Sequence, residues 1–256
     1  MRALPVLAKA TFAGFIVSLT VGFVAAIGTR LGFWNTDFGL LTLFPWCVGI
    51  GLVTFAAGAV WILWAMIAND SSGARYGLIG LVGVIVVLFN PVMDFWDAHG
   101  MPPISDATTD TEHPPQFVSL LTQRGDNASS PNYDGNRRMT YDGKTSTVSL
   151  VQHKYYGDIH SAAILMSPER LFKRAVSAAY AMGWNVIAIS PDEGRIEATD
   201  TSFFFGITDD IVIRVKPAGM GARLDIRSKA RIDGDFNGNR NPQRIRAYLK
   251  TLAGVP

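Results

Sequence analysis

The sequence predicts an α+β protein in two parts: a three-helix transmembrane anchor followed by an antiparallel-sheet two-layer sandwich with two helices, in the order β-α-β-β-β-β-α. Long uncharged apolar runs are confined to the first third of the chain, strands of period two succeed one another without interruption in the last third, and amphipathic helices stand at both ends of that series.

The anchor comes first. At 256 residues with 48% hydrophobic and 17% charged residues, the chain is too apolar for one soluble domain and ordinary for a membrane segment joined to a globular one. Ala10–Ile27 and Pro45–Ala68 hold no charged residue, and Gly77–Phe89 extends through Asn90 and Pro91 to Met93. About 20 apolar residues cross a hydrocarbon core, so spans are expected over residues 10–28, 45–68 and 76–93, the third only just long enough. A cleaved signal peptide is the rival reading of the first run, which exceeds the usual apolar region of such peptides and is followed by two more spans.

Arg2, Lys9 and Arg75 flank one side and only Arg30 the other. The positive-inside rule then places the N-terminus in the cytoplasm and the C-terminal domain outside it, as expected of a bacterial inner-membrane protein with a periplasmic domain. The spans contain no ionisable group of the kind that transporters and proton relays need, so they read as an anchor. Gly77, Gly80 and Gly83, with Gly49, Gly51 and Gly58, offer small surfaces for packing within one bundle or for homo-oligomerisation, and Trp46, Trp61, Trp64 and Trp96 stand toward the interfaces.

Residues 1–96 therefore form the membrane part and 97–256 an α+β domain whose first stretch, 97–160, is a Pro-, Asp-, Thr-, Asn- and Gly-rich lead-in expected to run as loops and extended segments. Ser130-Pro131, Asp134-Gly135 and Asp142-Gly143 mark its turns, and Asn127-Ala128-Ser129 matches a glycosylation acceptor. After the first 96 residues, 19 Lys and Arg face 18 Asp and Glu, a balance that argues against nucleic-acid binding as the main role. The single Cys47 lies in an apolar run, so the domain has no thiol for a disulfide or a cysteine zinc site.

The ordered core begins with a strand at Ala162–Met166. Ser167-Pro168-Glu169 opens a helix that carries Leu171, Phe172, Ala175, Val176, Ala179 and Met182 on one side and stops at Gly183. Strands follow at Asn185–Ser190 and Arg195–Ser202, with a turn at Pro191–Gly194. A hairpin then joins Ile211–Lys216 to Leu224–Arg227 through Ala218-Gly219-Met220-Gly221, and an even-numbered loop sets Arg214 opposite Asp225 and Ile213 opposite Ile226. This register turns the aliphatic residues to one face and Arg214, Lys216, Arg223, Arg227, Lys229 and Arg231 to the other. Asn241 and Pro242 read as the cap and first turn of a last helix whose Ile245, Tyr248, Leu249 and Leu252 cover the apolar face.

Several separated strings carry a resemblance. DDIVIRV (Asp209–Val215), LDIRSKAR (Leu224–Arg231) and QRIRAYL (Gln243–Leu249), with PPISDATTDTEHPPQF (Pro102–Phe117), YGDI (Tyr156–Ile159), Gly183-Trp184 and GRIEA (Gly194–Ala198), resemble in order the motifs of a bacterial and plastid family known as domain of unknown function 1499. The chain departs from the family's usual pattern at Ala230, at Gly157 and in the polar loop Asp233–Asn239. The resemblance implies no activity.

Three constellations bear on chemistry. The basic sheet face, extended by Arg244 and Arg246, gives ten Lys and Arg against three Asp and Glu between Arg214 and Lys250. Guanidinium groups at Arg214, Arg227, Arg231, Arg244 and Arg246 suit an anion such as a lipid headgroup, although Asp209, Asp210, Glu197 and Asp225 stand ready to neutralise part of the face. Asp233, Asp235, Asn237 and Asn239 follow the first half of a calcium-binding loop, but its twelfth position is Arg244 where a glutamate should be, and an Asn/Asp turn capping the last helix explains the run as well. Asp94, Asp97, His99, Asp106, Asp110 and His113 supply acid-base groups without a recognised metal-site spacing. At the corner between two strands Phe203-Phe204-Phe205 cannot all face the core of a strand, so the run reads either as a packed corner or as a corner that leaves a ring for a partner or the bilayer surface.

No nucleophile elbow, phosphate loop or dinucleotide fingerprint occurs. The sequence thus points to a membrane-anchored, non-enzymatic binding or assembly module of the cell envelope without a cofactor other than calcium. The bilayer, anionic lipid headgroups, other membrane proteins or a second copy are its expected partners. An enzyme using Asp106, Asp110 and His113, or a structural subunit of a membrane complex, is the alternative.

Overall fold

The computed structural model describes the backbone of residues 3–69, 71, 73–98, 100–125, 128–232 and 238–255, and the side chains of the same residues except 3–4 and 90–98. It comprises two compact units, Met1–His99 with Phe203–Gly206, and Gly100–Ser202 with Ile207–Pro256.

In the first unit, α1 (Ala3–Arg30), α2 (Phe44–Ala68) and α3 (Ala74–Ala98) are helices, with a π-helical turn at Phe38–Leu43 leading into α2. Two stretches are long and apolar enough to cross a membrane, Pro5–Arg30 and Phe38–Ala68, whereas the apolar part of the third helix is the shorter Ala74–Phe89. The glycine rows are used inside this unit. A Cβ at Gly80 would lie 2.8 Å from the backbone of Thr11 and Phe12, and one at Gly83 2.5 Å from the Phe15 ring, so α1 and α3 approach as closely as small residues permit. Ser18 donates a 2.8 Å hydrogen bond to the Cys47 carbonyl, which keeps its hydroxyl satisfied in an apolar setting.

The second unit is a six-stranded antiparallel sheet with helices on one face. Its strands are β1 (Asp106–Thr108), β4 (Ala162–Ile164), β5 (Asn185–Ser190), β6 (Arg195–Thr201), β7 (Thr208–Ala218) and β8 (Gly221–Ala230). The order is β5-β6-β7-β8, and β1 and β4 pair with successive parts of β8. The expected hairpin register is observed, with Arg214 opposite Asp225 and Ile213 opposite Ile226. Gly219, at φ 54°, takes the left-handed conformation that the two-residue turn requires.

Alternation then fixes the two faces. Ile196, Ala198, Ile211, Ile213, Val215, Leu224 and Ile226 form the core with Leu171, Phe172 and Ala175 of α5 (Pro168–Ala181) and Ile245, Tyr248 and Leu252 of α6 (Arg240–Gly254). Ser167 caps α5 by accepting from the Arg170 amide, Gly183 follows its end at φ 74°, and the Tyr248 hydroxyl donates to the Ala175 carbonyl across the two helices.

The structure corrects the sequence reading in two places. Among its loops and extended segments the lead-in carries a helix that the sequence reading lacked: besides β1 it forms a hairpin of β2 (Arg138–Tyr141) and β3 (Lys144–Thr147) about Asp142-Gly143, both at positive φ, and the helix α4 (Val148–Tyr155). Gln152 of α4 accepts from the Thr108 amide and donates to the Thr108 carbonyl, completing the hydrogen bonding of a three-residue strand too short for a sequence pattern to show. The last helix starts earlier than expected, with Asn239 at its cap position. Asn241 serves instead as a bridge, accepting from Ser228 and Arg244 and donating to the Ser105 carbonyl.

Candidate functional site

The charged residues of the sheet do not form an open basic surface. On the face opposite the helices the lead-in folds over them: Phe117 and Leu120 are buried against Val212, and Tyr133 lies beside Arg227. The arginines are held there by carboxylates, two of which, Asp106 and Asp110, come from the lead-in itself.

Arg227 is the centre. It is fully buried, and its Nε and Nη2 donate to the two oxygens of Asp106, each at 2.8 Å. Nη1 reaches the Pro115 carbonyl at 3.3 Å and Nη2 also the Pro131 carbonyl at 3.0 Å, while the rings of Phe117 and Tyr133 lie 4.8 and 5.4 Å from the guanidinium carbon. Four of its five N–H groups thus have acceptors, and aromatic neighbours add to them. Lys229, one pleat along β8, donates to the same Asp106 oxygen at 2.9 Å.

Three further clusters repeat the pattern. Arg214 and Arg223 both donate to Asp110 Oδ2, and both bond Asp225, Arg214 through Nη2 at 2.7 Å and Arg223 through Nε at 2.9 Å. Asp210 receives Arg231 on one oxygen at 2.7 Å and Arg124 on the other. Glu197 is fully buried and accepts from the amides of Val118, Ser119 and Leu120 at 2.9–3.2 Å, which caps the 3-10 turn Ser119–Gln123, and Arg195 approaches it at 2.8 Å. Burial works to raise the pKa of Asp110, yet the His113 amide and the charges of Arg223 and Arg214 hold it below its ordinary value. Burial pushes the Arg124 guanidinium down despite Asp210 beside it, and pushes the Tyr133 phenol far up.

The five arginines of the expected anion site are thereby separated. Arg214, Arg227 and Arg231 share the face covered by the lead-in but bind different carboxylates. Arg244 and Arg246 do not extend that face, because α6 packs on the other side of the sheet. Arg244 bonds Asp209 at 2.7 Å and Asp200 at 2.8 Å, and Arg246 forms a two-bond pair with Asp158 while lying over the Tyr156 ring. Bonding from Arg246 holds the Asp158 carboxyl below its ordinary value.

Of the calcium-loop residues, Asp233, Asp235 and Asn237 lie outside the described residues; Asn239 is buried at the start of α6, where its carbonyl accepts from the Gln243 amide. Asn127 and the side chains of Asp94, Asp97 and His99 also lie outside them. Asp106 and Asp110 are engaged as above, and Asp110 Oδ1 accepts from the amides of Glu112 and His113, so both carboxylates shape the lead-in. Among the described residues no group of three His, Cys, Asp or Glu is placed to hold a metal ion.

Sequence reasoning missed Arg124 and the capping role of Glu197, since both depend on where the lead-in returns to the sheet. The available signal was the acidic content of that segment, whose aspartates match buried cations on β7 and β8.

Residues 106–252 match the model of a family described as a protein of unknown function, DUF1499. No curated protein matches the chain.

Proposed function

As the chain belongs to the DUF1499 family, we propose that it is a membrane-anchored, non-enzymatic binding or assembly module of the cell envelope. Residues 76–93 serve as a third span, the N-terminus lies in the cytoplasm and the α+β domain lies outside it. The observation that carries the non-enzymatic part is the fully buried pair of Asp106 and Arg227. Asp106 and Asp110, two of the carboxylates an acid-base mechanism would use, are bound to arginines in a covered layer, which suits a rigid scaffold better than proton transfer. The charge-free spans and the Arg2, Lys9 and Arg75 asymmetry support the anchor and its orientation.

Anionic headgroups and calcium belong to the same proposal as ligands at the domain's outer surface. Of the five arginines Arg246 has the most exposed side chain, and it can turn from Asp158 to a phosphate at small desolvation cost. The Asp233–Asn239 loop is the corresponding place for calcium.

The test uses the full chain with Cys47→Ser and Met220→Cys. In intact cells an impermeant thiol reagent should label position 220, and labelling only after lysis would overturn the orientation. The same chain in neutral vesicles should tether vesicles containing anionic lipid, less so at high salt. Equal tethering of neutral vesicles would remove headgroup recognition, and indifference to calcium would remove the loop as a metal site.

A further inference from the structure

The first unit contains a segment far away in sequence from its helices. Phe203–Gly206, the turn between β6 and β7, belongs to that unit with Met1–His99. Arg30, the last residue of α1, donates through Nη1 to the Phe203 carbonyl at 2.6 Å, and the Phe205 ring meets the Phe44 ring edge-on at 5.5 Å. Gly206, at φ 68°, lies so close to Arg30 that a Cβ would sit 3.1 Å from the arginine Cγ. Within this unit the turn is therefore fixed at the ends of the two membrane-capable stretches.

Those ends have a defined depth. The stretch Phe38–Ala68 has 31 residues, about 46 Å of helix against a hydrocarbon core of about 30 Å. A surplus of this size lets its first turns, and the end of α1 beside them, reach the headgroup layer. There the turn presents Phe203 with 82% of its surface exposed and Phe204 with 55%, their rings packed edge-on at 5.3 Å. Phe33, Phe38 and Trp46 are likewise exposed in this region of the sequence between and beside the spans. Two large rings in water beside a bilayer edge are unfavourable, and the same rings at the boundary of headgroups and acyl chains are not.

We propose that Phe203 and Phe204 form a lipid-contacting wedge, seated in the headgroup region of the bilayer beside Arg30 and Phe44. This rests on the reading of the helices as membrane spans. The occupant is the lipid itself, since Arg30 and Phe44, which hold the turn among the described residues of its unit, belong to the ends of those stretches.

The experiment uses the full chain in vesicles, in a Cys47→Ser background, with an environment-sensitive fluorophore on Phe203→Cys or, for comparison, on Met220→Cys, which is 93% exposed at the opposite end of β7. Resistance to alkaline extraction first reports whether the helices are inserted. With insertion, the label at 203 should emit blue-shifted light and be quenched by lipids spin-labelled near the headgroup several-fold more than the label at 220. A label-free readout accompanies it: hydrogen exchange of the Thr201–Gly206 amides should be slower in vesicles for the native rings than for Phe203→Ser with Phe204→Ser. An inserted chain with a water-like label at 203 and no exchange difference overturns the wedge and leaves the anchor standing. A blue-shifted label that lipid quenchers do not reach assigns the rings to a protein contact and also overturns it. Extraction of the chain by alkali overturns the anchor and the wedge together.

Discussion

Asp106 and Arg227 stand on neighbouring strands, 121 positions apart in sequence, and meet in two parallel 2.8 Å hydrogen bonds with both side chains wholly buried. Their contact ties the lead-in to the sheet, and Lys229 makes it a three-member network on one carboxylate. Removing the carboxylate strands two buried cations, whereas removing Arg227 leaves Asp106 with Lys229. We expect Asp106→Asn to lower the stability of the full chain in detergent by about 3–5 kcal/mol and Arg227→Met to lower it by clearly less. Denaturant unfolding monitored by tryptophan fluorescence measures both, and equal losses would show that the network is not centred on Asp106.

Glu197 acts by a different route. Its carboxylate satisfies three successive amides at the start of the 3-10 turn, of which that of the buried Leu120 would otherwise be cut off from water without a partner. Glu197→Ala should cost about 1–3 kcal/mol and should speed hydrogen exchange at Val118, Ser119 and Leu120 before it affects the core strands. If those three amides exchange as in the native chain, the carboxylate is not their cap.

Acid should loosen the Asp110 cluster. The folded-state pKa of Asp110 lies below its ordinary value of 3.8, so its ionised form is favoured by folding. The stabilisation is present in full above that value and is lost as pH falls through the lower folded-state value. Stability measured from neutral pH down into that range should fall more gently for Asp110→Asn than for the native chain, with the two curves parallel at neutral pH. A native-like acid slope in the variant would show that Asp110 contributes nothing to it.

Much of this architecture was legible in the sequence because alternation, caps and turn residues are local. The β7–β8 register followed from a two-residue turn and one Arg-Asp pair, and the helix over Pro168–Ala181 from Ser167, Pro168 and Gly183. What escaped is non-local. β1 has three residues and is defined by its pairing with β8 and by Gln152, so no periodicity announces it. Likewise, charges on a sheet face look the same whether water or a folded-over segment covers them. The basic face was visible, but its burial depended on Asp106, Asp110 and Arg124 arriving from the lead-in. The quoted strings supply most partners in this lattice, including Asp106, Asp110, Glu197, Asp210, Asp225 and Arg227.

Tyr133 separates ring packing from hydrogen bonding in that lattice. Its ring lies 5.4 Å from the Arg227 guanidinium carbon, while its buried hydroxyl has no hydrogen-bond partner among the described residues. Burial and the nearby Asp106 charge push the phenol pKa far up, so the group stays neutral throughout the physiological range. An unpaired buried hydroxyl is unfavourable, whereas the ring shields the guanidinium and adds cation–π attraction. Tyr133→Phe keeps the ring and discards the unpaired group, so it should leave stability unchanged or raise it by up to about 1 kcal/mol. Tyr133→Ala removes the ring from over Arg227 and should destabilise by about 2–4 kcal/mol. Thermal unfolding of the two variants of the full chain in one detergent decides the matter. If Tyr133→Phe falls as far as Tyr133→Ala, the hydroxyl has a partner in solution and the ring is not what Tyr133 contributes.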